Sequence, residues 1–228
     1  MFKRFSDAVC TVCDLAYEEA ERLRHDYLGP EHILVGLAQV SQGGTGPILR
    51  DSGLGPEALR ARLDLLVAEG TLPGPWRNQS DLLRGLGIDL GEVRQAVERA
   101  FGPDELCAAL KRARRRSWLR ELPFLTAGPP SPLAGKALVA KRAFWLAEQE
   151  AVRLVGDQLA GPEHLLLGVL RDAEDPAGTG LSRRARRGYA YLGLPEHGPS
   201  PVRRLIEAAG TSLAELRTAV LASTHAAT

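Results

Sequence analysis

Aromatic residues are scarce in this chain, at 5% of its 228 positions, so leucine, alanine and valine must build most of the core. No stretch approaches the roughly 18 uninterrupted apolar residues of a membrane-spanning helix. The 3 cysteines are too few, and odd in number, for a disulfide framework. The net charge of +1 argues against a globally basic nucleic-acid-binding protein.

Motifs of several enzyme classes are also missing. A P-loop requires Gly-x-x-x-x-Gly-Lys-Ser/Thr, and the nearest match centres on Gly135 and Lys136. Pro130 stands where its first glycine should be, and Ala137 replaces its hydroxyl residue. There is no Gly-x-Ser-x-Gly nucleophile elbow, and the 5 histidines show no metal-ligand spacing. We therefore predict a protein that is not an enzyme and has no cofactor or metal.

Two further sequence features bear on chemistry and location. Cys10 and Cys13 have a Cys-x-x-Cys spacing, which admits a redox or metal site. They lie in a helical run without a second cysteine pair, so we predict that both pack in the core. The amino terminus has an acid at Asp7 and no apolar run, so no signal peptide is expected, and we predict a cytoplasmic protein.

Apolar residues recur along most of the chain at spacings of 3 and 4, and no segment alternates with a period of 2 for long. This pattern predicts an all-α fold of roughly ten helices. The first helix should bury one apolar face, formed by Val9, Val12, Cys13, Ala16, Ala20 and Leu23. A short helix is expected at 48–52 and a longer one at 57–69, each after a glycine-rich break.

A nine-residue stretch, 29–37, returns at 161–169, with Gly-Pro-Glu-His at the start of each copy. The offset, 161 − 29 = 132 residues, indicates an internal duplication. Proline suits the first position of a helix and glutamate suits its first turn, so each copy predicts a helix start. For the histidine we favour a packing role, whereas for the glutamate packing and ligand binding stay open.

A smaller helix–glycine–helix module fits the sequence three times, around Gly53, Gly87 and Gly210. The glycine should adopt a left-handed conformation at the end of the first helix. An arginine follows at equivalent places, and we interpret it as pairing with a local acid or covering a neighbouring helix. These arginines are Arg60, Arg94 and Arg217.

Four stretches carry a resemblance to a known family: residues 2–6, 16–20, 29–37, and a Gly-x-x-x-x-x-Leu-Arg ending at Arg60. Together they resemble the Clp amino-terminal repeat, which forms the N-domain of ClpA- and ClpC-type Hsp100 unfoldases. The resemblance is close over residues 1–70 and looser over 136–222. It implies two four-helix repeats in a pseudo-two-fold all-α domain that binds substrates and adaptors for an ATP-driven ring.

This resemblance gives the expected organisation of the chain. We expect a first repeat at 1–70, an extra helical module with a basic helix and linker at 71–127, and a second repeat at 128–223. The second repeat should carry an insertion at 172–201, and a short tail should follow at 224–228. Because no P-loop is present, we expect a stand-alone relative of the N-domain without the ring.

The resemblance implies a non-catalytic recognition module, acting as an adaptor, decoy or regulator of Clp-dependent proteolysis. Its partners would be Clp protease components, their substrates or adaptors, or peptide-like ligands, and the protein is expected to be a monomer. One alternative is a helical scaffold unrelated to proteolysis. Another is a nucleic-acid-binding protein that uses the arginine-rich runs at 111–116 and 183–187.

In ClpC-type domains the glutamate of each repeat helps to bind arginine-phosphate marks, and the matching residues here are Glu31 and Glu163. A carboxylate suits a guanidinium because it accepts two parallel hydrogen bonds. However, Pro30 and Pro162 replace the usual threonine, and Asp7 places an acid near the expected phosphate position. Arginine-phosphate binding is therefore not expected.

Family N-domains also bind cyclic peptide antibiotics near the amino terminus, on an apolar patch that includes an early phenylalanine. The candidate binding face here comprises Phe2, Lys3, Arg4, Phe5, Glu31, Lys136 and Glu163; Lys136 opens the corresponding segment of the second repeat. The alternative is that Phe5, and also Phe2, only fixes the start of the first helix. The binding face would then have to be sought within 172–201.

Overall fold

The computed structural model describes residues 5–40, 44–74, 137–156, 159–175, 189, 192–194 and 197–226. The chain divides into two compact units, one formed by 1–75 with 132–228 and the other by 76–131. All described residues belong to the first unit. The predictions for the middle module, Arg94, Cys107 and the two arginine-rich runs lie outside the described residues.

The described residues form eight α-helices and two short strands, which confirms the all-α prediction. The first four helices are α1 (Asp7–Arg22), α2 (Pro30–Gln39), α3 (Thr45–Asp51) and α4 (Pro56–Ala68). The other four are α5 (Lys141–Val155), α6 (Pro162–Glu174), α7 (Pro201–Glu207) and α8 (Leu213–Ala226). The strands are β1 (Tyr27–Leu28) and β2 (Ala137–Leu138). Helix α6 ends at Glu174, so Asp172, the predicted first residue of the insertion, is helical.

Helix α1 buries the predicted apolar face against the rest of the core. Cys13 is buried, and burial raises its pKa to about 12, so it remains a thiol. Cys10, in contrast, is exposed, so the prediction that both cysteines pack in the core is wrong for Cys10. The physical reason is helical rotation: Cys10 lies about 100° around the helix from the buried Val9.

Within each repeat the first two helices approach closely at a glycine. A Cβ atom on Gly36 would lie 2.6 Å from the carbonyl oxygen of Val12 in α1. A Cβ atom on Gly168 would lie 2.6 Å from the backbone nitrogen of Ala147 in α5, and it would also collide with the carbonyl oxygen of Ala143. Because backbone atoms cannot move aside as a side chain can, only glycine fits at these two crossings.

In each repeat, the segment that precedes the first helix pairs with the other repeat; these two segments are called the leading segments. The Ser6 N–H donates to the carbonyl of Ala160, 3.1 Å away, directly before the second Gly-Pro-Glu-His turn. In the other direction, β2 pairs in parallel with β1, and the Val139 N–H donates to the carbonyl of Leu28 at 2.9 Å. Each repeat thus completes the helix start of the other, and this reciprocal exchange relates the repeats by an approximate two-fold.

The helix–glycine–helix modules of both repeats have the predicted backbone. Gly53 and Gly210 have φ angles of 71° and 80°, in the left-handed region. Arg60 donates to Glu19 at 2.9 Å, and Arg217 donates to Glu150 at 3.1 Å. Pairing with a local acid, as interpreted from the sequence, is confirmed for these two arginines.

The close helix crossing predicts the effect of a single methyl group. Gly36→Ala should destabilise the fold by about 1–2 kcal/mol, because steric overlap with Val12 outweighs the better helix propensity of alanine. Gly74→Ala is the matched control, since a Cβ atom there meets nothing within 4 Å. Urea unfolding followed by circular dichroism measures both. Equal midpoints for Gly36→Ala and the wild type would show that the crossing can relax without cost.

Candidate functional site

The two Gly-Pro-Glu-His turns have the same construction at the starts of α2 and α6. The glycine is the N-cap in extended conformation, and the histidine ring accepts the glycine N–H through Nδ1. These bonds measure 3.0 Å for Gly29 to His32 and 3.1 Å for Gly161 to His164. Both histidines are buried, so the predicted packing role of the histidines is confirmed.

In the first repeat, His32 begins a chain of buried hydrogen bonds. Its Nε2 lies 3.0 Å from Nδ1 of His25, and Nε2 of His25 lies 2.9 Å from the carbonyl oxygen of Pro73. Since Nδ1 of His32 accepts the Gly29 N–H, the proton of His32 sits on Nε2 and is donated to Nδ1 of His25. The proton of His25 therefore also sits on Nε2, which donates to the Pro73 carbonyl. Two neutral histidines therefore join the start of α2 to the segment that follows α4.

The second repeat does not reproduce this chain. His164 is buried, but its Nε2 has no hydrogen-bond partner among the described residues. The duplicated turn therefore keeps its cap in both repeats, while its wider connections differ.

Glu31 is enclosed at the junction of the two repeats. Its residue surface is only 1% exposed, and its Oε1 has no hydrogen-bond partner among the residues that the structure describes. Burial raises the pKa of Glu31 to about 7 against the opposing effect of its own backbone N–H, and the nearby charge of Asp172 raises it further. Tyr27 of β1 and Tyr189 also interact with this carboxyl, and burial raises the pKa of both tyrosines.

Asp172, whose charge acts on Glu31, is itself paired with a cation. Arg142 at the start of α5 lies 3.5 Å from Asp172 and also pairs with Asp175 at the end of α6. The carboxyl of Glu31 therefore interacts electrostatically with side chains from β1, α6 and the segment after α6. It is a covered group and is not open to a ligand in this conformation.

Glu163 occupies the equivalent position in the second repeat but is accessible. Its side chain is 24% exposed, against 2% for that of Glu31. The start of α1 lies beside this turn, because Ser6 is bonded to Ala160. Of the two carboxylates that match the family's arginine-phosphate site, only Glu163 can meet a ligand directly.

The remaining predicted site residues fall into two groups. Phe5 is 5% exposed and packs edge-on against Phe144, with ring centroids 5.6 Å apart. Of the two alternatives for Phe5, the structure supports the one in which it fixes the start of α1, and Phe5 is not part of an exposed binding face. The other predicted residues, Phe2, Lys3, Arg4 and Lys136, lie outside the described residues.

Sequence reasoning missed two buried acids that organise the repeats. Glu19 and Glu150 are at most 1% exposed, and each contacts two arginines. The pairs are Glu19 with Arg22 (2.7 Å) and Arg60 (2.9 Å), and Glu150 with Arg171 (3.3 Å) and Arg217 (3.1 Å). The sequence does contain a pattern that indicates these two acids: an Ala-x-x-Glu-Ala motif at 16–20 returns at 147–151. These carboxylates are occupied by arginines and serve the fold.

Within the described ranges, no group of three or more histidine, cysteine, aspartate or glutamate side chains could hold a metal ion. In the same ranges, no helix has the length and apolar character needed to cross a bilayer.

Together these features define a duplicated, interlocked four-helix repeat with a capped Glu-His turn in each copy. Residues 4–73 match the family model of the Clp repeat (R) N-terminal domain. Residues 4–73 therefore carry a repeat of this family.

The similarity to curated relatives extends beyond that segment. The chain is 31% identical over 179 residues to a probable ATP-dependent Clp protease ATP-binding subunit of Chlamydia pneumoniae, covering 78% of this chain and 14% of the relative. It is 30% identical over 177 residues to the chloroplastic chaperone protein ClpC of Pisum sativum, covering 78% and 13%. The chain thus spans only a small part of the length of these relatives.

Among solved structures, the N-terminal domain of the chaperone ClpD from Arabidopsis thaliana aligns with 99% of this chain and 97% of its own. The sequence identity is 15% and the TM-score is 0.47.

The burial of Glu31 predicts an unusual dependence of stability on pH. Its pKa of about 7 in the folded protein exceeds the roughly 4.3 of an unfolded glutamate, so the folded state binds more protons between these values. The contribution of Glu31 to stability is therefore present below about pH 4 and is lost as the pH rises through 7. Glu31→Gln keeps a neutral side chain and should be more stable than the wild type at pH 8, by on the order of 3 kcal/mol, with a gain that shrinks towards pH 5.

Urea unfolding at several pH values between 5 and 8 measures this difference. Glu163→Gln is the matched control, because the partly exposed Glu163 keeps contact with water and should show no such gain. Parallel pH profiles for Glu31→Gln and the wild type would contradict a covered carboxyl at the junction of the repeats.

Proposed function

We propose that this chain is a non-catalytic recognition module that acts as an adaptor, decoy or regulator of Clp-dependent proteolysis. The observation that carries the proposal is the Clp repeat at residues 4–73. The similarity to the ATP-binding subunits covers 78% of this chain but only 14% of the Chlamydia pneumoniae relative, so the shared part is a small portion of that protein. We assign the chain the recognition role of an N-domain, without catalysis, as a cytoplasmic monomer.

For the binding face we propose the start of the second repeat's Glu-His helix together with the amino-terminal residues. Glu163 supplies an accessible carboxylate, and Ser6 is hydrogen-bonded to Ala160 beside the same turn. Phe2, Lys3 and Arg4 would extend this face, and Lys136 would lie on the corresponding segment of the other repeat. Peptide-like segments of Clp substrates or adaptors are the proposed ligands.

Arginine-phosphate is not proposed as a ligand of this face. Glu31, one of the two matching carboxylates, is enclosed and carries a raised pKa because of its burial. Pro30 and Pro162 occupy the first helical position at both turns, where they offer neither a hydroxyl nor an N–H to a phosphate.

A reconstituted degradation reaction tests the proposed function. A purified ClpC-type unfoldase with its protease and a fluorescent unfolded substrate is supplemented with increasing amounts of the chain. We expect the chain to associate with the unfoldase or the substrate and to change the rate of degradation, while hydrolysing no ATP alone. The isolated N-domain of the unfoldase is the control. An unchanged rate without such association, or ATP hydrolysis by the pure chain, would contradict the proposal.

The two early phenylalanines are expected to have separable roles. Phe2→Ala should weaken binding to the Clp partner at least several-fold and leave the melting temperature nearly unchanged, since one buried phenylalanine contributes roughly 1.5–3 kcal/mol to binding. Phe5→Ala should instead destabilise the fold by about 3–5 kcal/mol, because Phe5 is buried against Phe144. Calorimetry and thermal unfolding distinguish the two effects. A loss of stability in Phe2→Ala as large as in Phe5→Ala would make Phe2 structural.

A further inference from the structure

The outer face of α5 carries large apolar side chains in contact with solvent. Trp145 is 54% exposed and Val152 is 53% exposed. With Glu148, Gln149 and Arg153, they line an open groove along the helix. Positions 145, 149 and 152 follow one another at spacings of 4 and 3, so they form one stripe on the helix surface.

The duplication provides an internal comparison for this stripe. Gly36 meets Val12 and Ala16 of α1, and Gly168 meets Ala143 and Ala147 of α5, so equivalent residues of the two helices differ by 143 − 12 = 131. With this offset, Asp14 and Glu21 of α1 are equivalent to Trp145 and Val152 of α5.

Both acids are exposed in the first repeat. The first repeat therefore folds with charged residues at these two positions. Packing of the second repeat accordingly does not require the apolar side chains of Trp145 and Val152. A solvent-exposed tryptophan that the fold does not need indicates a surface that another molecule covers.

Charges around the stripe indicate what kind of molecule fits. Exposed cations, Lys141 and Arg153, stand near its two ends; they are 12 positions apart, which corresponds to about 18 Å along the helix. One half-buried acid, Glu148, lies between them. A ligand with an apolar centre and acidic ends matches this distribution.

We propose that the outer face of α5 binds an amphipathic helical segment of a partner protein. Aliphatic residues of that segment cover Trp145 and Val152, and acidic residues near its ends face Lys141 and Arg153. This inference rests on the proposed function as a recognition module, for which it supplies a second surface and the chemistry of its partner. A second copy of the chain fits less well, because the equivalent helix α1 presents exposed acids at 14, 18 and 21, and the large aliphatic side chain beside them, Leu15, is half-buried against the core.

Fluorescence anisotropy of the full chain with a synthetic peptide tests the surface directly. The probe is a labelled helical peptide with leucines at spacings of 3 and 4 and glutamates at both ends. A scrambled peptide of the same composition is the control ligand. Trp145→Glu with Val152→Glu should weaken binding at least about tenfold, since two apolar contacts are lost. Asp14→Ala with Glu21→Ala, the matched change in α1, should leave the affinity within about twofold of the wild type.

Charge reversal tests the orientation of the acids. Lys141→Glu with Arg153→Glu should weaken binding of the glutamate-flanked peptide and favour a peptide with lysines at its ends. The proposal is overturned if the wild type binds the probe no better than the scrambled peptide, or if the Trp145→Glu, Val152→Glu variant retains wild-type affinity. Circular dichroism must show that this variant remains folded. Sedimentation showing a wild-type dimer that the variant loses, without peptide binding, would assign the face to a second copy.

The degradation assay separates this inference from the proposed function. If the wild type and the Trp145→Glu, Val152→Glu variant change Clp proteolysis equally and neither binds the probe, the α5 surface is refuted while the proposed function stands. If the probe binds at α5 while the wild type leaves Clp proteolysis unchanged, the surface stands and the proposed function is refuted.

Discussion

The reciprocal pairing of the two leading segments is the constraint on which the structure depends. Ser6 reaches Ala160 in the second repeat, and Val139 reaches Leu28 in the first. Each bond ends one residue before a Gly-Pro-Glu-His turn, so neither helix start is complete without the other repeat. The core is accordingly shared, with Phe5 of one repeat packed against Phe144 of the other. A single isolated repeat would leave its leading segment and its Glu-His turn unpaired.

Within this shared frame, the two copies have diverged at the same positions. Glu31 is enclosed beside Tyr27, whereas Glu163 remains partly exposed, although both follow a glycine N-cap and a proline. Along the outer helices, Trp145 stands where the first repeat has Asp14. Because backbone geometry and capping are common to both copies, these differences cannot come from the demands of the repeat. They show where one copy has acquired a surface or a covered group that the other lacks.

Much of the fold could be predicted from the sequence because it follows from local rules. Proline after glycine marks the helix starts at 30 and 162, and Gly53 and Gly210 take the left-handed conformation that ends a helix. The site was less accessible to such reasoning. The raised pKa of Glu31 depends on its burial and on the charge of Asp172, which lies more than a hundred residues away in sequence and comes near it only through tertiary packing. Cys10 was wrongly placed for a simpler reason, since a spacing of three does not by itself put both residues on the buried side.

The contrast between the two glutamates bears on how a Clp-type repeat can change its ligand without changing its fold. The turn itself is fixed by the histidine cap and by the glycine, whose missing Cβ leaves room for the glutamate side chain to fold back. Selection can therefore act on what surrounds the carboxyl. Enclosure raises the pKa of Glu31 to about 7, so a large fraction of this carboxyl is protonated at neutral pH, and proline at the preceding position removes a donor. We propose that both changes weaken recognition of arginine-phosphate while leaving the helix start intact, which accords with the peptide segments proposed as ligands of this chain.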